Sequence, residues 1–296
     1  MKAESLPQNQ AESLLSDLST LVKARLSFLV LITTLVGFLM GVQGPMDYVL
    51  LGATLIGTAL SACGAAALNQ WWERELDAKM KRTCNRPLPM GRLHAQDALY
   101  LGIFLSAAGV VLLAFATNLL TAFLAALTVL SYLFVYTPMK RLTSLNTIVG
   151  AVPGALPPVI GWTAAGNGLS LEAWLLFAIL FLWQMPHFLA IAWMYRDDYE
   201  AAGFQMLTIG DEDGMSTARQ AVMYSMALLA TSLLPGVIRV NSPVYFFGAF
   251  ILGILFTAFA VRFSMARTRG NARALFFASI LYLPLLLGLM VLTRIW

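Results

Sequence analysis

Three oxygen-bearing side chains, Asn69, Glu73 and Asp77, stand four residues apart in the polar segment 68–83. On a helix that spacing stacks them on one face over two turns. Like charges so placed repel by about a few tenths of a kcal/mol per pair, so the arrangement calls for a cation or a basic partner. Mg²⁺ suits it, because it binds through one or two carboxylates and a substrate's phosphate oxygens while retaining waters. Taken alone, the cluster is equally well read as a solvated face in which Glu73, Glu75 and Asp77 pair with Arg74, Lys79 and Lys81. A second acidic group, Asp197 and Asp198 in the segment 195–203, shifts that balance. Lys81, Arg82, Arg86, Lys140, Arg141 and Arg196 adjoin the two clusters and supply what a diphosphate requires beyond metal. The combination reads as a metal-diphosphate pocket.

The elements that must carry these groups are membrane helices. Of 296 residues, 59% are hydrophobic and 11% charged, where a soluble domain carries about a quarter charged residues. A soluble fold is excluded. Apolar runs long enough to cross a hydrocarbon core of about 30 Å mark nine spans, at 23–42, 48–68, 98–116, 119–136, 146–165, 171–194, 221–238, 244–262 and 272–292. The expected class is therefore an all-α polytopic membrane protein. The net charge of +4 does not signal a nucleic-acid partner, because the basic residues report orientation. With the N-terminus in the cytosol, every Lys and Arg except Arg239 and Arg294 falls on the inner side, which predicts N-in and C-out. Residues 1–20 contain Glu4, Glu12 and Asp17 and no apolar core, so they are expected to be a disordered cytosolic leader and not a signal peptide, with one domain over 21–296. Cys63 and Cys84 are too few for a disulfide framework or a cysteine metal site, and both read as structural.

The loops on the outer side are short, whereas those following the second and sixth spans are long and open with the acidic segments 69–77 and 196–200. That spacing predicts two four-helix units in tandem plus a ninth helix, with function facing the cytosol. Ala53, Gly57, Ser61 and Ala65 recur at every fourth position of the second span and predict close packing there. All acids but Asp47 and Glu172 lie on the cytosolic side and none at mid-span, which argues against ion-coupled transport. An apolar cavity beneath a diphosphate clamp would suit an isoprenyl diphosphate.

Five segments carry a resemblance to a known family. They are Asn69-x3-Glu73-x3-Asp77-x2-Met80-x-Arg82-Thr83-x2-Arg86-Pro87, Tyr136-Thr-Pro-Met-Lys-Arg141, Pro153-Gly-Ala-Leu-Pro-Pro158-x2-Gly161-Trp162, Trp183-Gln-x-Pro-His-Phe188 and Asp198-Tyr-x2-Ala-Gly203. In these the chain resembles the UbiA-type intramembrane prenyltransferases over nearly its whole length, and the middle three segments look specific to the branch that farnesylates haem.

The resemblance implies nine transmembrane helices in a bacterial-type inner membrane and Mg²⁺-dependent transfer of farnesyl from farnesyl diphosphate to a vinyl group of haem B, with hydration, giving haem O. It implies Asn69, Glu73, Asp77 and Asp198 as metal and catalytic residues, with Arg82, Arg86, Lys140, Arg141 and Arg196 on the diphosphate. Haem A synthase or terminal oxidase assembly proteins would be further partners. Two positions depart from the superfamily pattern: Glu73 stands for the first Asp, and Ala202 for the second Asp of the second motif, leaving Asp198, with Asp197 or Glu200, to carry it. A histidine in an apolar span is ordinarily a hydrogen-bonded packing residue, but its place in the fourth segment gives His187 a haem-facing role, as an axial ligand. His94 reads as a loop residue. Trp71, Trp72, Tyr136, Trp183 and Tyr199 are candidates to face an allylic cation. Two rivals remain: a prenyltransferase acting on another aromatic such as 4-hydroxybenzoate, which would lack the middle segments, and a non-enzymatic haem or lipid carrier, which leaves the paired acids unexplained.

Overall fold

The computed structural model describes residues 8–295; residues 1–7 of the expected leader and Trp296 lie outside them. Among the described residues, nine helices are long and apolar enough to cross a membrane. They are α2 (Ala24–Gly41), α3 (Tyr48–Asp77), α4 (Ala95–Ala116), α5 (Leu119–Met139), α6 (Asn146–Ala164), α7 (Leu171–Met194), α9 (Met215–Val237), α10 (Pro243–Met265) and α11 (Arg269–Leu292). Two shorter helices, α1 (Gln8–Leu21) and α8 (Arg196–Ala201), precede α2 and follow α7. Several spans begin earlier than hydropathy alone suggests, because polar first turns such as 215–220 are already helical. The leader is likewise helical over 8–20, where disorder was expected. It is held there by the Arg92 guanidinium, which grips Asp17 at 3.0–3.1 Å, and by Leu18 and Leu21 packed on Ala67 and Leu88.

The two four-helix units are α2–α5 and α6, α7, α9, α10, with α11 as the ninth span against α7 and α10. α2 packs on the second half of α6 and joins the units. That crossing is close: a Cβ on Gly37 would lie 1.8 Å from Pro158 O, and one on Gly161 would lie 1.9 Å from Thr34 O. The small-residue stripe on α3 works as expected in its middle, where Gly57 and Ser61 meet Gly109 of α4. Its ends differ, since Gly64 carries the contact onward to Ser106 and Gly102, while Ala65 turns instead to Val129 and Leu133 of α5. At the other end of the bundle Arg294 donates to Leu39 O and Val42 O, tying the chain after α11 to the end of α2.

Three local features position the site. At 30 residues α3 is about 45 Å long, so its last turns project beyond the hydrocarbon with the acidic face. α5 passes into a π-helical segment over Ser131–Tyr136, just before Pro138, which has no N–H to give to Phe134 O. A π segment of this kind re-aims side chains and recurs at functional sites. α6 carries Pro153 within a ten-residue first half and breaks at Leu156, before Pro157 and Pro158.

Candidate functional site

Asn69, Glu73 and Asp77 do share one face of α3, and all three are buried. Each finds a partner from a different part of the chain. The Lys140 ammonium donates to both Glu73 oxygens, at 2.7 and 3.0 Å. Arg86, in the loop 78–94, donates to Asp77 Oδ2 at 2.6 Å. Asn69 donates from Nδ2 to Glu73 Oε2 at 3.0 Å and to Thr137 Oγ1 at 3.2 Å, and its Oδ1 accepts from Lys23 at 2.7 Å. Asp198 of the second cluster reaches the loop that follows α3, where its Oδ2 accepts from the Arg82 backbone N–H at 3.2 Å. The Arg82 guanidinium lies 5.3 Å and 5.9 Å from the rings of Tyr195 and Tyr199.

Not every expected residue joins this cluster. Arg141 is exposed and has no ion pair among the described residues. Arg196 is held away from it, donating to Ile209 O at 3.2 Å beside the Trp193 ring. Asp197 and Glu200 are exposed, and Ala202 is buried between Met80 and Phe204. Of the candidate aromatic faces only Tyr136 reaches the cavity described below. Trp183 stacks on His187, Tyr199 packs on Phe204, Trp71 lies against Leu21 and Ala67, and Trp72 is exposed.

Lys23 belongs to the site although sequence reading used it only to orient the chain. It sits at the α1–α2 junction in the left-handed region (φ 48°), a conformation costing a non-glycine residue about 1–2 kcal/mol. Gln70 stabilises the junction by donating to Thr20 O and Leu21 O, and Lys23 Nζ reaches Asn69 and, at 3.3 Å, Tyr132 OH. Burial is the main cause, with the nearby charges of Arg86 and Lys140 adding to it, of a Lys23 pKa lowered to about 7; Glu73 and Asp77 offset only part of this. Burial works against the Lys140 ammonium as well, but Glu73 outweighs it and raises that pKa.

Below the charged cluster is a cavity of about 280 Å³ between α2, α3, α5, α6 and α7. Lys23, Tyr132 and Tyr136 form its polar end, and Val30, Ala62 and Phe188 are among its apolar walls. The two tyrosines are brought there, ring centroids 5.6 Å apart, by the π segment of α5. His187 is not among the lining residues. It stacks between Trp183 and Phe276 at 5.1 and 4.9 Å, and its Nδ1 lies 2.7 Å from Ser279 Oγ of α11. The Ser279 hydroxyl also lies 2.6 Å from Phe276 O; when it donates there, His187 Nδ1 is the donor to Ser279, and the direction follows the histidine tautomer.

The profile of the UbiA prenyltransferase family matches residues 30–281. The chain belongs to the UbiA prenyltransferase family. A protoheme IX farnesyltransferase from Solibacter usitatus (strain Ellin6076) is 50% identical over 287 residues, covering 94% of this chain and 98% of that protein. Among solved structures, a digeranylgeranylglyceryl phosphate synthase superposes with a TM-score of 0.79 at 16% identity, over 94% of this chain and 98% of the other. A UbiA homologue from Archaeoglobus fulgidus bound to DMAPP and Mg²⁺ gives a TM-score of 0.66 at 13% identity, over 93% and 99%. These two likenesses concern the fold. Within this UbiA fold, the residues described include no group of three His, Cys, Asp or Glu side chains able to enclose a metal by themselves. Mg²⁺ does not need one, since one or two carboxylates suffice when phosphate oxygens and water complete its shell. The all-oxygen donors of Asn69, Glu73, Asp77 and Asp198 fit that requirement.

The Glu73–Lys140 pair, with side chains 6% and 13% exposed, is expected to respond as buried pairs do: losing one partner costs about 3–5 kcal/mol, and replacing both costs far less. Lys140→Met should therefore lower the thermal midpoint of the detergent-solubilised protein, and adding Glu73→Gln should restore most of it. A Lys140→Met variant as stable as the parent would show that water reaches Glu73.

Proposed function

We propose that this chain transfers the farnesyl group of farnesyl diphosphate to a vinyl group of haem B, with addition of water, giving haem O. The observation that carries this reading is an apolar cavity whose polar end, at Lys23, Tyr132 and Tyr136, lies below a buried Asn69-Glu73-Asp77 face that Lys23, Arg86 and Lys140 contact. Its support in sequence is the half-identical relative, whose name specifies a farnesyl donor and a haem acceptor. Such a cavity accepts a hydrocarbon tail below and a multiply charged head above.

Asn69, Glu73, Asp77 and Asp198 would hold Mg²⁺, which supplies positive charge to the diphosphate oxygens. Lys23, Arg82, Arg86 and Lys140 bind the same oxygens and stabilise the charge that grows on them as the C–O bond breaks. Burial makes each of these interactions stronger than it would be in water. The Tyr132 and Tyr136 faces, at the boundary between clamp and tail, stabilise the allylic cation by about 1–2 kcal/mol each. The cavity walls keep bulk water from that cation until the vinyl carbon has attacked. Asp77→Asn and Asp198→Asn are expected to abolish haem O in extracted membranes while the protein remains inserted, and Glu73→Asp to be tolerated. Near-normal yield from either Asn variant at limiting Mg²⁺ would overturn the assignment of these acids.

His187 is proposed to serve the haem substrate. With Nδ1 bonded to Ser279, Nε2 would be the nitrogen available to the haem iron, the arrangement usual for ligating histidines. His187→Ala should weaken haem binding or change its absorption spectrum and leave Mg²⁺-dependent farnesyl diphosphate binding almost unchanged. An unaltered spectrum and affinity would make His187 a packing residue.

The site is proposed to open to the cytosol, on the charge asymmetry of the loops. In a variant lacking Cys63 and Cys84, a cysteine at the exposed position of Glu212 should react with an impermeant thiol reagent only from the cytosolic side. Labelling from the opposite side would reverse the orientation.

A further inference from the structure

The functional reading above, on which this inference rests, ends with a water molecule adding to a carbocation in a cavity that is almost entirely apolar. Something must hold that water in place. Ser27 and Thr128 line the cavity, but their hydroxyls donate to Val22 O and Leu124 O of their own backbone segments. Gln184 differs. It is 95% buried on α7 and lines the cavity, and its Nε2 donates to Leu180 O at 3.0 Å and Ala151 O at 3.3 Å. Those two carbonyls use both N–H groups and fix which way the amide points. Oε1 accepts nothing from any described residue and, on a side chain that lines the cavity, keeps its full acceptor capacity. A water or ligand in the cavity can donate to it.

The helix opposite leaves room for this oxygen. A Cβ on Gly154 would lie 1.9 Å from Gln184 Oε1, and a Cβ on Gly150 would lie 2.4 Å from the Tyr136 ring. Positions four apart on a helix are neighbours separated by about one turn, roughly 5–6 Å. The Gly150-x3-Gly154 strip thus sets the Gln184 carbonyl about one turn deeper than Tyr136, which itself abuts Lys140 at 4.6 Å. We propose that Gln184 is the positioning residue for the water that completes the reaction.

The chemistry balances with water as the only further reactant. Ionisation breaks the C–O bond and leaves its electron pair on the diphosphate. The vinyl π pair then forms the new C–C bond, which puts the positive charge on the carbon attached to the porphyrin ring. The water held at Gln184 Oε1 donates its lone pair to that carbon, and the proton it releases passes to the diphosphate. Without a held water, the same cation loses a proton from the adjacent CH₂ and becomes an alkene, lighter than haem O by one water. Gln184 therefore decides the product and not the rate of C–C bond formation.

The test is the ratio of the two farnesylated haems, identified by mass, formed from haem B and farnesyl diphosphate in membranes carrying the full-length protein. Gln184→Leu should raise the alkene-to-alcohol ratio about tenfold, the effect of losing roughly one hydrogen bond, whatever its effect on total turnover. Gly154→Ala, which drives a methyl group against Oε1, should shift the ratio in the same direction and covers the case in which Gln184→Leu fails to accumulate. An unchanged ratio in the variant that accumulates, even with total turnover reduced, would overturn the inference and leave Gln184 a packing residue. Parent membranes that form no farnesylated haem of either kind would instead overturn the functional reading itself.

Discussion

A carboxylate cannot be buried at the edge of a membrane without a cation, and most of this molecule's polar architecture follows from the two on the last turns of α3. Glu73 and Asp77 are 5% and 1% exposed. An uncompensated charge at such a position costs several kcal/mol. The compensation comes from separate parts of the chain: Lys140 from the turn after α5, Arg86 from the loop after α3, and Lys23 through Asn69. Each of those parts must in turn be fixed. Gln70 closes the α1–α2 junction that delivers Lys23, Arg92 and Asp17 lock the long loop to α1, and Gln205 N donates to Lys140 O at 2.6 Å. The segment between α7 and α9, which carries the second acidic cluster, is thereby drawn over the first.

The cavity and the charged cluster meet because α5 and α6 are irregular at the same level. Regular helices would present Tyr132 and Tyr136 at a different angle, and larger residues at 150 and 154 would fill the space that Tyr136 and Gln184 occupy. Proline accounts for both irregularities: Pro138 ends the i→i−4 ladder of α5, and Pro153, Pro157 and Pro158 divide α6. In water such breaks would be solvated. Here the freed backbone is buried in protein and borders a cavity, which is where a membrane fold tolerates it.

What was legible in the sequence is what depends on local spacing. Asn69, Glu73 and Asp77 lie on one face as their i, i+4, i+8 spacing requires, and the nine spans follow from length and hydropathy with ends displaced by a few polar residues. What was not legible depends on contacts between distant residues. Lys23 lies 46 positions from Asn69 and His187 lies 92 from Ser279, and no periodicity reports such pairings. The same limit explains why Arg141 and Arg196, adjacent in sequence to the motifs, point elsewhere: at a helix end one residue's step is about 100° of rotation. The helix of the leader was not legible because what holds it lies far along the chain: Arg92 on Asp17, and Ala67 and Leu88 under Leu18 and Leu21.

The ion pairs of the described structure and the metal-diphosphate complex proposed for it draw on the same groups, and charge accounting reconciles them. Glu73 and Asp77 are held by Lys140 and Arg86 in this structure. A diphosphate bound with Mg²⁺, as proposed, would bring both an anion for the cations and a cation for the carboxylates, so the pairs would exchange partners without any buried charge being left alone. Neither component achieves this by itself: the diphosphate alone would face the carboxylates, and the metal alone would face the ammonium and guanidinium groups. The exchange thus couples the binding of the two, since each removes the electrostatic cost of the other. Lys23 would add to that coupling from the cavity side, because burial and the two neighbouring cations lower its pKa and an anion in the clamp would oppose that shift. By this accounting a pocket built on paired charges would disfavour free Mg²⁺ or free diphosphate and favour the complex proposed for it.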